Sequence, residues 1–252
     1  MTPGTVLITG AAARIGRALS LALAEDGWAV AVHYNRSAEP AQALVAEIAQ
    51  AGGRAIALGA DLLDLDAVER LIPQAQDALG SVTALINNAS AFEDDEIGRL
   101  TAESFALHMN VNLRAPVFLA QALARRLPKD QSGAVVNLLD QRVKKPVPLF
   151  FSYGLSKAAL AEATVTLAQA LAPRIRVNGV GPGPTLMNTR QQPEDFQAQV
   201  DATILATGSP PEEIVRAVRY LLGAQAVTGQ WLAVDGGQHL FWKTPDVWGI
   251  RE

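Results

Sequence analysis

No cysteine occurs among the 252 residues, so disulfides, thiolate nucleophiles and cysteine metal ligands are excluded. Histidine is nearly as scarce. His33, His108 and His239 are scattered, no two stand at a helical or hairpin ligand spacing, and no metal is expected. Charged residues make up only 18% of the chain and sum to a net charge of −4, which argues against a nucleic-acid or membrane-surface partner. No uncharged apolar span approaches the roughly 18 residues of a transmembrane helix. The opening MTPGTVLITG enters a short strand pattern without the basic and long apolar regions of a signal peptide. A soluble, cytoplasmic protein with a small-molecule partner is the expectation. What the chain has in plenty is apolar residues, 49%, enough for the core of one α/β domain.

Short β-rich apolar runs alternate with longer helical patterns. The strand-like runs are 5–9, 28–34, 54–60, 82–87, 133–139, 174–181 and 230–236; helical periodicity covers 14–27, 38–51, 64–79, 101–127, 154–172 and 211–223. Continuous apolar strands separated by helices predict a parallel sheet covered on both faces, and right-handed crossovers make it doubly wound. No linker, repeat or low-complexity tract interrupts the pattern, so residues 1–252 are read as a single domain. Residues 184–209 are polar and irregular, which suggests a mobile loop over a substrate site. The tail, 238–252, carries Phe241, Trp242 and Trp248 past the last strand, aromatics of the kind that pack on a partner surface.

The first strand is followed by TGAAARIGRAL. Gly10 allows a tight turn, Gly16 allows the helix to pack closely on the strand, and the helix-start N–H groups point at a pyrophosphate. The spacing differs from G-x-G-x-x-G, and Arg14 occupies a place in the turn where a third glycine would fit. After strand two, where an NAD site puts an acid for the ribose 2′-OH, the sequence has Arg36 and Ser37 instead. A guanidinium fork beside a hydroxyl suits a 2′-phosphate, so NADPH is expected over NADH. Asp61 ends strand three, where its carboxylate either accepts from an adenine amino group or caps the next helix.

Tyr153 stands four residues before Lys157, hence on one helix face, and Asp140 lies 13 positions upstream. A phenol of pKa about 10 relays protons poorly at neutral pH. An ammonium about 4 Å away, at an effective dielectric near 20, favours the phenolate by roughly 4 kcal/mol, about three pKa units. An ionised Asp140 opposes this, keeps the phenol protonated, and can only accept hydrogen bonds.

TGAAARIG, the NNAS of residues 87–90, Asn112, Tyr153-x-x-x-Lys157 and the GPGPT of 181–185 occur together in the order and spacing of the short-chain dehydrogenase/reductases, which the chain resembles over nearly its whole length. That resemblance implies a seven-stranded parallel sheet in the order 3-2-1-4-5-6-7, a homotetramer, and NADP(H) lying across the C-terminal strand ends. It implies cofactor contacts from Gly10, Arg14, Ile15 and Gly16; from Tyr34, Asn35, Arg36 and Ser37; and from Asp61 and Leu62. Further contacts are implied from Asn88, Ala89 and Ser90, from Tyr153 and Lys157, and from Pro182, Gly183 and Thr185. Tyr153, Lys157 and Asn112 match the family's catalytic set, with Asn112 positioning a water in the proton relay.

Most members of that family carry a serine where Asp140 stands. The chain is more similar to the pteridine reductases and dihydromonapterin reductases, which also have the aspartate, HY-x-RS after strand two and NNAS-x-F, and the pteridine reductases share the arginine in the turn. By that likeness Phe92 stacks on a pterin, Ser90 and Arg14 bridge cofactor and substrate, and Asp140 orients substrate and Tyr153. Ala13 departs from it, because pteridine reductases often have a basic residue there. The expected activity is NADPH-dependent reduction of a pterin or dihydropterin. The alternatives are a general carbonyl reductase of a 3-oxoacyl, sugar or steroid ketone, and a non-catalytic NADP-binding sensor.

Overall fold

Each apolar run of the sequence becomes a strand of one parallel sheet, and each helical pattern becomes the crossover to the next. The computed structural model describes residues 3–188 and 190–250, so residue 189 of the expected loop and the last two residues of the tail lie outside the described residues. The strands are β1 (Thr5–Ile8), β2 (Ala29–Tyr34), β3 (Ala55–Gly59), β4 (Val82–Asn87), β5 (Gly133–Leu138), β6 (Ile175–Pro182) and β7 (Trp231–Val234). They lie in the order β3-β2-β1-β4-β5-β6-β7, all pairs parallel, as the resemblance implies.

The two-residue period of a strand sorts its side chains between two cores. From β1, Val6 and Ile8 face a layer formed with Leu19 and Leu23 of α1 (Arg14–Glu25), Leu44 and Ile48 of α2 (Ala38–Gln50) and Ile214 and Leu221 further along the chain. Leu7 faces the opposite layer, with Leu71 and Ile72 of α3 (Leu65–Leu79) and Leu119 and Leu123 downstream. Both faces are therefore dry, which is why the strands read as unbroken apolar runs rather than alternating ones.

The expected helix over 101–127 is divided. α4 (Ala102–Met109) and α5 (Ala115–Arg126) are joined by one π-helical turn, Asn110–Arg114, that carries the fully buried Asn112. Such widened turns are a recurrent way of placing a functional side chain. α6 (Phe151–Leu171) begins three residues before the predicted 154. Phe150 precedes it in the left-handed conformation, φ +54°, and caps nothing with its side chain. Asp95 supplies the cap from 57 residues away: its backbone carbonyl accepts from Phe151 N (3.0 Å) and its carboxylate from Ser152 N (3.0 Å).

The 184–209 segment is not irregular throughout, because it contains α7 (Pro193–Asp201). Pro193 at the first helical position and Glu194 and Asp195 in the first turn favour that start. None of its residues is buried, so it lacks the apolar stripe that marks a helix in sequence. The last helix is α8 (Pro211–Gly223).

Sheet order reverses between β1 and β4, and in open α/β sheets ligands bind at the carboxyl ends of the strands beside such a reversal. The turns after β1, β4, β5 and β6 all end there. Among the described residues, no helix is long and apolar enough to cross a membrane.

Candidate active site

A cavity of about 930 Å³ opens at those strand ends. Its walls bring together Gly10, Arg14, Ile15 and Gly16 from the first turn, Asn88, Ala89, Ser90 and Phe92 from the β4 loop, and Asp140 from the β5 loop. Tyr153 and Lys157 enter from α6, and Pro182, Gly183 and Thr185 from the end of β6. Tyr34, Asn35, Arg36, Ser37, Asp61 and Leu62 lie outside it, at the ends of β2 and β3. Asn112 is also outside the lining, behind it.

Sterics make the first turn a cradle. A Cβ on Gly16 would stand 2.2 Å from Gly10 O and 2.8 Å from Ala11 Cα, so only glycine fits between helix and strand. Gly10 has φ +61°. Ala13, the N-cap of α1, offers no side-chain acceptor, so the first N–H groups of the helix stay open toward the cavity. Asn88 Nδ2 ties the β4 loop to the turn through Thr9 O (2.8 Å) and Gly10 O (3.0 Å). These open donors and the glycine approach fit a pyrophosphate. Arg36 and Ser37 are exposed at the start of α2, and Ser37 makes no capping bond with its hydroxyl, an arrangement that fits a 2′-phosphate. Asp61 does not cap α3. Its Oδ1 accepts from Leu63 N (2.9 Å), and the cap is Asp64, which accepts from Asp66 N and Ala67 N.

His33, which the sequence offered only as part of a motif, fastens the turn. Its Nδ1 accepts from Gly10 N (3.1 Å), so Nε2 carries the proton toward Ala60 O (3.1 Å). Burial lowers its pKa from 6.5 to about 4. An unfolded chain therefore takes up a proton between pH 6.5 and 4 that the folded protein refuses, and stability falls as pH drops through that window. By pH 4 the loss from this residue reaches about 3 kcal/mol. Urea unfolding midpoints at pH 7 and pH 4.5 are expected to differ more in the wild type than in His33→Gln; equal differences would remove His33 from the acid sensitivity.

Arg14 adopts φ +53°, rare for a residue with a side chain. Its guanidinium crosses the cavity to donate to Leu186 O (2.8 Å) and Met187 O (2.9 Å), joining the first turn to the 184–209 loop. Thr185 Oγ1 donates to Gly183 O (3.0 Å).

Asp140 and Tyr153 meet. Tyr153 Oη donates to Asp140 Oδ2 at 2.7 Å, and the tyrosine is only 6% exposed. Burial first, then the Asp140 charge and hydrogen bond, raise the phenol well above its ordinary 10, against smaller opposing effects of Arg142 and Ser90. The ammonium effect expected from the sequence does not prevail here. Lys157 Nζ donates to Leu138 O (2.7 Å) and lies 5.8 Å from the Tyr153 ring centroid. Burial lowers the lysine to about 8, so it remains mostly an ammonium at pH 7.

Asn112 uses all its hydrogen-bonding capacity within the protein. Nδ2 donates to Ala91 O (3.0 Å) and Ser156 Oγ (3.0 Å), while Oδ1 accepts from Ala91 N (2.8 Å) and Ser90 Oγ (3.2 Å). It thus holds the β4 loop against α6.

Several residues at the site had no signal in the sequence. Phe150 stacks on Phe92 with ring centroids 4.4 Å apart, and Phe92 meets Tyr153 edge-on at 4.7 Å. Arg142 and Arg190 both lie over the Phe92 and Phe150 rings, and Arg190 also donates to Phe92 O (2.8 Å). Behind them, His108 Nε2 accepts from Glu93 N (3.0 Å), so its Nδ1 donates to Ser152 Oγ (2.6 Å), which in turn donates to Asp95. The set contains a serine, a histidine and an aspartate, but the histidine donates to the serine and cannot activate it. All three are buried, and they lock the wall carrying Phe92 to the helix carrying Tyr153.

Residues 4–198 match the short chain dehydrogenase family model. The chain belongs to that family. This short-chain dehydrogenase is 33% identical over 247 residues to a 3-oxoacyl-[acyl-carrier-protein] reductase of Synechocystis sp., covering 96% of this chain and 99% of that one. It is also similar to the crystal structure of FolM alternative dihydrofolate reductase 1 from Brucella canis complexed with NADP. That likeness has a TM-score of 0.95 and 48% identity over 98% of both chains. A blue fluorescent protein from a metagenomic library, in complex with NADPH, aligns at TM-score 0.87 and 33% identity, over 93% of this chain and 97% of that one. This short-chain dehydrogenase is an NADP-dependent oxidoreductase, and the cradle around Gly10 and Gly16 is where its residues suit the cofactor.

Proposed function

We propose that the chain reduces a dihydropterin, with Tyr153 as proton donor and Asp140 as the acceptor that orients both phenol and substrate. The observation that carries this reading is the 2.7 Å hydrogen bond from Tyr153 Oη to Asp140 Oδ2 inside the cavity. Its meaning is chemical. A carboxylate at this place repels the alkoxide that forms when a ketone is reduced, and it can only accept hydrogen bonds. A pterin brings N–H donors for that carboxylate and needs a proton at a ring nitrogen.

NADPH, when bound, supplies the hydride that reduces the imine carbon. The residues of the chain do the rest. Tyr153 keeps its proton until charge builds on the adjacent nitrogen, because burial and Asp140 hold the phenol neutral. The O–H bond then breaks as the N–H bond forms. Lys157 restores the proton from solvent, while Asn112, its side chain fully bonded within the protein, holds Ser90 and the β4 loop in place. Phe92, one face of which Phe150 covers, offers its other face to the ring, Arg14 and Ser90 stand between cofactor and substrate, and the loop at 184–209 closes the cavity. Similarity to the NADP complex of FolM alternative dihydrofolate reductase 1, at 48% identity, supports this reading over others. The family's tetrameric assembly belongs to the same proposal.

A second reading, reduction of a 3-oxoacyl thioester, is favoured by the names of the sequence relatives. Residue 140 separates the two. NADPH consumption is measured with dihydromonapterin, dihydrobiopterin, dihydrofolate and a 3-oxoacyl thioester side by side; turnover confined to the thioester rejects the pterin. Within the pterin reading, Phe92→Ala is expected to raise the pterin KM by about tenfold, in keeping with 1–3 kcal/mol for stacking a base on an aromatic ring, and the NADPH KM by much less. Equal rises in both would count against stacking.

A further inference from the structure

We propose that Arg142 is the positioning residue of the proton-donating step, holding Asp140 in place and balancing its charge while Tyr153 gives its proton away. The inference rests on the pterin reading above, in which Tyr153 protonates a ring nitrogen.

The difficulty it resolves lies in the 2.7 Å hydrogen bond itself. When the phenol loses its proton, a phenolate and a carboxylate share one partly buried site, a like-charge pair that each would resist. Lys157 feels the Asp140 charge, but the hydrogen bond its ammonium makes goes to Leu138 O (2.7 Å) and not to the pair. Arg142 is a cation that hydrogen-bonds to the carboxylate of the pair. Its backbone N donates to Asp140 Oδ1 (2.8 Å), and its Nη1 donates to Asp140 Oδ2 (3.3 Å), the oxygen that also accepts from Tyr153.

Two features fix the guanidinium there. Asp140 is the N-cap of the short 3₁₀ turn Gln141–Val143, so carboxylate and arginine are placed by one turn and its cap. The guanidinium carbon lies 5.7 Å from the Phe92 centroid and 5.5 Å from that of Phe150, within cation–π range of both rings. Its Nε is buried without a hydrogen-bond partner. One side of Arg142 therefore meets the reacting carboxylate and the other supports the aromatic wall. When Tyr153 turns its proton to the substrate, Asp140 keeps two hydrogen bonds from Arg142 and is not left an unpaired charge.

The test compares Arg142→Met and Arg142→Lys with the wild type, using NADPH oxidation with dihydromonapterin and dihydrobiopterin in H₂O and D₂O, and NADPH affinity by fluorescence. Arg142→Met is expected to lower kcat by about ten- to a hundredfold, within the range of positioned proton transfer, with NADPH affinity within about twofold. Its solvent isotope effect rises as proton transfer becomes slower. Arg142→Lys, which keeps the charge, recovers most of the loss. A kcat within twofold of wild type in Arg142→Met overturns the proposal. So does an equal loss in both variants with an unchanged isotope effect, which a packing role alone explains. If the wild type itself oxidises NADPH with neither pterin, the pterin reading fails first and takes the inference with it.

Discussion

Tyr153→Phe is expected to lower kcat for dihydropterin reduction by about 10²- to 10⁴-fold, the usual contribution of a positioned general acid. NADPH affinity should change by no more than about threefold. The variant removes one oxygen and leaves the ring, whose edge-on contact with Phe92 and neighbourhood to His108 are preserved. The phenol is buried beside a carboxylate and raised well above its ordinary pKa, so it is neutral throughout the working range and serves as a donor. Its titration therefore sets no limb of the pH profile between pH 6 and 9. The group that titrates in that range is Lys157, lowered to about 8 by burial. Activity that depends on its ammonium is nearly full at pH 7, falls to half near pH 8 and declines further above it. Stopped-flow measurement of a single turnover isolates the chemical step, and a Tyr153→Phe rate within threefold of wild type would falsify the donor role.

The second large effect is expected from Asp140→Ser. Serine is what most of the family carries at this position, and the exchange replaces a charged group that only accepts with a neutral hydroxyl that also donates. The Tyr153 hydrogen bond is weakened, substrate N–H groups lose their carboxylate, and Arg142 is left without its ion pair, a 3.3 Å contact. A site built to bind a polar group loses heavily when that group is mismatched, and pterin kcat/KM should fall about a thousandfold or more. The first turn and the glycine cradle are untouched, so NADPH binding measured by fluorescence titration should stay close to wild type. Retained pterin turnover would remove Asp140 from the mechanism. Lost NADPH binding would show that the residue serves the fold of the cavity instead.

Much of this was readable in the one-dimensional pattern. Seven apolar runs gave seven strands because both faces of a parallel sheet are buried, which leaves an unbroken hydrophobic signature. Gly10, Gly16, Tyr153 and Lys157 could be placed because their roles rest on local geometry: a tight turn, a close helix approach and one helical turn of separation. Asp140 was legible only as a departure at a fixed spacing. The π turn at Asn110–Arg114 was not legible, since one residue of slippage in a helix leaves the apolar period nearly intact. α7 escaped because an exposed helix without a buried face has no stripe to detect. The tail was expected to seek a partner surface; within the chain, Trp242 and Trp248 pack edge-on at 6.0 Å and both remain more than half exposed.

Seven parallel strands, a preference for NADP and the acceptor at position 140 were determined by the sequence, because periodicity, the Arg36–Ser37 pair and the charge of a carboxylate are properties of the residues themselves, while the strand order was implied by the family resemblance. Tertiary structure alone decided that Arg142 guards that carboxylate, that Phe150 stacks on Phe92, that Asp95 caps α6, and that the Lys157 ammonium bonds to the carbonyl of Leu138. Those outcomes depend on which loops the sheet brings to its carboxyl edge and how they pack there, and most of them join residues tens of positions apart.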